Sequence, residues 1–246
     1  MSHPGRRLGL RTGSVVDCRM STVRAAAGMG RFGASGYDGG MSQAARTIVL
    51  LAGPSGSGKS RLARRSGLPS LRLDDFYRDE DAPDLPRLPT GVIDWDDPVT
   101  WDADAACHAL VALARDGTVE TPVYDISTSR RVGSQRIDIG DAPAVVAEGI
   151  FATRLAALRH SGADIPVLAI WLDRPRLVNW WRRLRRDLAE HRKPPHVLLR
   201  RGLMLMREEP RLRAQAVAAG FVPLRMDQAI RAVADLVRAD ARPVDV

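Results

Sequence analysis

The sequence predicts an α/β fold of three layers, with a mostly parallel sheet between two layers of helices. Three observations carry this. The runs Thr47–Ala52, Ala144–Ala147 and Val167–Leu172 are apolar without alternation, as strands buried on both faces must be. Stretches of helical period, bounded by capping residues, separate the runs. The first run leads straight into Gly53-Pro54-Ser55-Gly56-Ser57-Gly58-Lys59-Ser60, a glycine-rich turn that opens a helix.

That turn matches the pattern G-x-x-x-x-G-K-[ST] in full, which makes the expected sheet one of the P-loop NTPase type. Glycine allows a bend in which successive backbone N–H groups point inward at phosphate oxygens, and the helix start adds its positive dipole end. Gly53, Ser55, Gly56, Ser57, Gly58, Lys59 and Ser60 are the candidate nucleotide-binding residues, with ATP and Mg²⁺ the implied cofactors. Lys59 would follow the γ-phosphate, and the Ser60 hydroxyl would ligate the metal. Lysine occurs only at Lys59 and Lys193, in a chain that otherwise uses arginine for positive charge.

The bulk properties narrow the setting. A chain of 246 residues, 45% of them hydrophobic, can build one α/β domain with appendages. No apolar run approaches the length that spans a bilayer. Cys18 and Cys107 form no metal-ligand spacing, so reduced thiols and a cytoplasmic protein are expected. The net charge of +8 is uneven, concentrated in the first forty residues and between Arg174 and Arg213, which suits anionic small ligands at least as well as nucleic acid. Residues 1–40, rich in Gly, Arg, Ser and Ala, read as a disordered extension, with Met41 a natural start and 41–246 the folded domain.

Within that domain the first strand feeds the phosphate loop and a short helix that ends near Gly67. Ser70 to Leu73 reads as a second strand that ends at Asp74, which closes a βαβ unit. Residues 78–98, acidic and proline-rich, read as a loop over the site. Thr100 to Arg115 is helical, with Thr100 or Asp102 as its cap and Gly117 as its stop. Val119 to Tyr124 and Arg136 to Ile139 read as short strands about a polar loop, and Leu155 to His160 as a short helix. Pro175 opens a helix running to about Glu190, and two further helices are expected over Val197–Arg207 and Arg211–Ala219. A short strand at Phe221 to Leu224 and a final helix capped by Asp227 complete the domain.

Ligands of open α/β sheets bind at the carboxyl ends of strands, where Asp74, Glu148 and Asp173 fall. Asp173 precedes a helix directly and reads as its N-cap. Asp74 and Glu148 face the loop, where a carboxylate can hold Mg²⁺ or take a proton from an attacking hydroxyl. Arg183 and Arg186, three apart on one helix face, could neutralise charge on a transferring phosphoryl group.

From Thr47 to Lys193 the chain resembles the uridine kinases, a group within the P-loop kinases that also include phosphoribulokinase and pantothenate kinase. Besides the phosphate loop, the likeness rests on Asp74-Asp75-Phe76-Tyr77, Trp95-Asp96-Asp97-Pro98, Pro122-Val123-Tyr124-Asp125, Glu148-Gly149 and Arg183-Leu184-Arg185-Arg186-Asp187. The resemblance implies that Asp74 is the general base for a nucleoside 5′-hydroxyl, that Asp96 holds ribose hydroxyls and that Tyr124 lines the base pocket. It also implies that Ser60 and Glu148 hold Mg²⁺, while Arg183 and Arg186 reach substrate and phosphates. The basic stretch over about 174–213 is similar to the arginine-rich helical lid of the uridine kinases. One departure falls at Ser129, where the family carries a histidine that reads the pyrimidine edge.

The sequence thus points to an ATP-dependent kinase for a small hydroxylated molecule, with a nucleoside as the first acceptor and another hydroxylated metabolite as the second. A nucleotide-dependent nucleic-acid-binding protein is the reading from another class, and the lack of aromatics interleaved with the basic residues speaks against it. Membrane association is not expected, and homo-oligomerisation is left open.

Overall fold

The structure, a computed structural model, describes residues 45–160, 164–189 and 195–240. The expected extension at 1–40 lies outside them. Strand β1 (Thr47–Ala52) runs into the phosphate loop and helix α1 (Lys59–Ser66), which Gly67 ends in the left-handed region at φ 70°. Strand β2 (Ser70–Arg72) follows, then helix α2 (Ala103–Asp116), a hairpin of β3 (Thr118–Asp125) and β4 (Arg130–Asp138), and strand β5 (Ala144–Glu148). Strand β6 (Val167–Leu172), helices α3 (Arg176–Ala189) and α4 (Pro195–Ala218), strand β7 (Val222–Leu224) and helix α5 (Met226–Asp240) complete the order.

The five-stranded sheet has the order β2-β5-β1-β6-β7, and every pairing in it is parallel. Its two faces divide the core. Ile48, Leu50 and Ala52 of β1 pack with α2 residues such as Leu110 and Leu113 on one side. Val49 and Leu51 pack with Leu62 and Ala63 of α1 and Ala229 and Val233 of α5 on the other. This is the expected three-layer sandwich, and β1 needed no alternation because both of its faces are covered. The chain leaves β1 for β2 and β5 on one side, then crosses to β6 on the other. The reversal of direction opens a crevice at the carboxyl end of β1, where the phosphate loop lies.

Several elements differ from expectation. Asp102 caps α2, accepting from the Ala105 amide at 3.0 Å, while Thr100 belongs to a short 3-10 turn before it. The segment expected as a helix from Leu155 is a 3-10 run over Ala152–His160. Strand β4 is longer than expected, because its face is polar and exposed nearly throughout and leaves no period-two signal. Helix α4 is continuous through Pro210 where two helices were expected. Pro210 itself is exposed, and the proline removes one amide hydrogen bond from the helix. Asp227 does not cap α5. Instead the Gln228 side chain accepts from the Arg225 amide at 2.9 Å, and Asp227 pairs with Arg231 at 3.0 Å. Cys107 is buried on α2 and disulfide-bonded, against the expectation of reduced thiols, and Cys18 lies outside the described residues. No helix among the described residues is long and apolar enough to cross a membrane.

Candidate active site

The phosphate loop takes its shape from glycines at positive φ: Gly53 at 148°, Gly56 at 87° and Gly58 at 101°. A side chain at Gly56 would lie 2.7 Å from the carbonyl oxygen of Asn179, so helix α3 packs directly on the tip of the loop. Helix α1 starts with no side-chain cap and no acidic residue in its first turn, leaving its first N–H groups to face an anion. Ser57 is fully buried at the base of the loop, and its Oγ has no hydrogen-bond partner. Lys59 is 8% exposed and donates from Nζ to the carbonyls of Gly53 (2.8 Å) and Pro54 (3.4 Å). A glycine-shaped loop at an uncapped helix start, an orphaned hydroxyl and an ammonium held on the loop are the chemistry that a phosphate chain requires.

The two expected metal ligands meet. Ser60 Oγ donates to Glu148 Oε1 at 2.8 Å, one from the first turn of α1 and the other from the end of β5. They are brought together because β1 and β5 pair in register, Leu51 opposite Glu148. A hydroxyl and a carboxylate are hard oxygen donors that suit Mg²⁺. Among the described residues no group of three or more His, Cys, Asp or Glu could hold a metal, so a cation here would draw its remaining ligands from phosphate and water.

Asp74 stands beside this pair. It sits on a 3-10 turn, Leu73–Phe76, and not at the end of a strand, because Leu73 and Phe76 are both buried at a spacing of three. Gly149 makes room for it: a Cβ there would lie 2.7 Å from Leu73 Cβ and 3.2 Å from Asp74 Oδ1. Burial, reinforced by the charge of Glu148, pushes the Asp74 carboxyl above the usual carboxylate range, against the pull of Lys59. Asp75 turns elsewhere. It is 2% exposed, lies 3.8 Å from the Arg72 guanidinium and accepts a hydrogen bond from the Tyr124 amide. One carboxylate faces the site and its neighbour ties the turn to the hairpin.

The residues expected around the acceptor are only partly assembled. Tyr124 is buried in an aromatic cluster, with its ring 5.7 Å from that of Tyr77, which in turn touches Trp95 at 5.7 Å and Phe151 at 5.8 Å. Its hydroxyl donates to the Arg78 carbonyl at 3.3 Å and is hydrogen-bonded to Ser129, and burial pushes its pKa to about 12. Tyr124 is therefore a packed wall and not an open lining residue. Asp96 is exposed in the 77–101 loop, with its amide bonded to Asp94 Oδ1 at 3.3 Å. The hairpin is pinned to that loop by arginines. Arg130 pairs with Asp81 at 3.0 Å, and Arg131 bonds from its amide to Asp79 at 2.7 Å and from its side chain to Tyr77 O at 3.3 Å.

On α3, Arg183 lies against the loop, its amide 3.4 Å from a Cβ built on Gly56. Arg186 is on the same helix, and its side chain lies outside what is described. Sequence reasoning missed Arg174 and Arg61. Arg174 Nη2 lies 3.8 Å from a Cβ built on Gly58, and burial plus the charges of Arg182 and Arg61 lower its pKa. A lone arginine before Pro175 carries no motif, so only the fold reveals its approach to the loop. Asp173 is not an N-cap but an ion-pair partner of Arg213 at 3.3 Å, joining β6 to α4.

Residues 48–193 match the Phosphoribulokinase / Uridine kinase family. Over 151 residues the chain is 30% identical to a uridine kinase of Alkaliphilus metalliredigens, an overlap of 58% of this chain and 69% of that protein. Over 109 residues it is 35% identical to an inorganic pyrophosphatase of Arabidopsis thaliana, covering 43% of this chain but only 15% of the other's length. Among solved structures, a gluconokinase from Sinorhizobium meliloti aligns over 80% of this chain and 96% of its own, at 18% identity and a TM-score of 0.40.

Proposed function

The chain belongs to the Phosphoribulokinase / Uridine kinase family, and from that premise we propose that it transfers the γ-phosphoryl group of ATP to a hydroxyl of a small molecule. The observation that carries this reading is the Ser60–Glu148 contact at 2.8 Å with Asp74 beside it, at the mouth of a glycine-rich loop. Mg²⁺, when bound, would neutralise negative charge that develops on the phosphoryl group. Ser60 and Glu148 are the residues that would hold it. The loop amides fix the phosphate chain, and Lys59 exchanges its contacts with the Gly53 and Pro54 carbonyls for the γ-phosphate. Asp74 accepts the proton of the acceptor hydroxyl, and its position against Glu148 aims it at the loop. Arg183 and Arg186 complete the cationic surround from the lid.

Two acceptors are weighed. A nucleoside 5′-hydroxyl is supported by family membership and by the exposed carboxylate of Asp96 in the loop over the site. A different hydroxylated metabolite is favoured by one observation: Ser129 stands where the family carries its base-reading histidine, and it is hydrogen-bonded to the Tyr124 hydroxyl, which also donates to the Arg78 carbonyl. The test is ATP consumption by purified protein against a panel of nucleosides and sugar-like alcohols. Acceptor-dependent ADP release supports the kinase reading and ranks the two classes. Release that ignores every acceptor contradicts it.

A further inference from the structure

A buried polar contact lies behind the phosphate loop, outside the residues that carry the chemistry. Asn179 on α3 is 2% exposed, and Glu209 on α4 is 6% exposed. The Asn179 Nδ2 donates to Glu209 Oε1 at 3.1 Å and to the Arg174 carbonyl at 3.5 Å. The Asn179 Oδ1 is buried and has no hydrogen-bond partner. The same residue's backbone carbonyl is the atom that abuts Gly56, 2.7 Å from where a Cβ would stand. Asn179 thus faces the phosphate loop with its main chain and Glu209 with its side chain.

The geometry points to Glu209 as a positioning residue for the nucleotide site: by clasping Asn179 across the seam between α3 and α4, it holds the lid helix against the tip of the phosphate loop. This inference rests on the reading of that loop as the ATP site. An ionised carboxylate only accepts, which leaves Asn179 Oδ1 without a donor, whereas a neutral carboxyl offers one acceptor and one donor to match the amide's donor and acceptor. The surroundings favour the neutral acid. Burial raises the Glu209 carboxyl above the usual range, the charge of Asp173 at the end of β6 adds to this, and Arg176 on α3 and the Asn179 bond oppose it. Asp173 is itself paired with Arg213 of α4. The clasp is therefore complete when Glu209 carries its proton and is weakened as rising pH removes it.

The test uses the full chain and needs no acceptor. Mg–ATP affinity is read from tryptophan fluorescence, to which Trp180 and Trp181 beside Asn179 on α3 contribute, for wild type, Glu209→Gln and Glu209→Ala, from the ordinary carboxylate range upward to pH 9. Glutamine presents the same donor–acceptor pair at every pH. We expect wild type and Glu209→Gln to agree at the acid end and to separate as pH rises, wild type weakening relative to glutamine. Glu209→Ala should bind roughly tenfold more weakly, because the docked lid is populated less. Taking the ratio to Glu209→Gln cancels the titration of ATP itself. A ratio flat across the range overturns the inference, as does Glu209→Ala binding like wild type. Should alanine fail to fold, the glutamine comparison decides alone. Wild type that binds no Mg–ATP at all sinks the phosphate-loop reading together with this one, whereas binding that ignores position 209 sinks this one only.

Discussion

The two sides of the site are built in opposite ways. The nucleotide side is one continuous stretch: β1, the loop and the first turn of α1 run from Thr47 to Ser60, and their geometry is local backbone conformation. The acceptor side is assembled from three separated stretches: the Leu73–Phe76 turn with the 77–101 loop that continues it, the β3–β4 hairpin and the end of β5. It is held by side chains that bridge them, such as Arg130 to Asp81, Tyr124 to Arg78 and the Tyr124 amide to Asp75. A contiguous cradle takes its shape from its own residues and tolerates little change in them. An assembled pocket can be retuned by single substitutions at its bridges while the phosphate chemistry stays intact.

Substitutions at the two sides can break this contrast. Lys59→Met should have the largest effect and abolish turnover, because it removes the ammonium that follows the γ-phosphate's charge into the transition state. Near-normal rates in that variant, measured as ADP release with any acceptor, would refute the kinase reading. Gly56→Ala should come next. It demands φ 87° of an alanine and presses a methyl on the Asn179 carbonyl, a strain of about 1–3 kcal/mol that should appear as weaker ATP binding in a fluorescence titration. Arg131→Ala should be mildest. Its exposed pair with Asp102 at 3.4 Å contributes about 0–1 kcal/mol. A melting curve should fall by a few degrees at most, and the ATP affinity should hold while the acceptor KM rises. Equal loss of ATP affinity in Arg131→Ala and Gly56→Ala would erase the distinction between the two sides.

How much of this was legible beforehand follows the same division. The phosphate loop, β1, β5 and β6 could be read directly, since each declares itself within a few adjacent residues. Asp74 was expected at the end of a strand and lies on a 3-10 turn. Leu71, Leu73 and Phe76 change the apolar spacing from two to three, and that switch is the signal of a turn where a strand was expected. Two helices were expected where α4 is continuous, because a Pro inside a helix removes an amide hydrogen bond and local rules do not see the packing of α4 against its neighbours. The Asn179–Glu209 contact had no sequence signal, since its partners lie thirty residues apart on different helices. Tyr124 was chosen by resemblance, and only the packing of Tyr77, Trp95 and Phe151 reveals that it is walled in.

The central claim is that Asp74 takes the acceptor's proton, and the comparison of Asp74→Asn with Asp75→Asn tests it most directly. General-base catalysis is worth about 10²–10⁴ in rate. Asp74→Asn keeps the shape and removes the base, so kcat should fall by that order while ATP affinity is retained. Asp75→Asn can still accept from the Tyr124 amide, so its kcat should stay within a fewfold of wild type. Its cost should appear in stability, at about 1 kcal/mol or less. A crippled Asp75→Asn beside a mild Asp74→Asn, or small equal losses in both, would contradict the assignment.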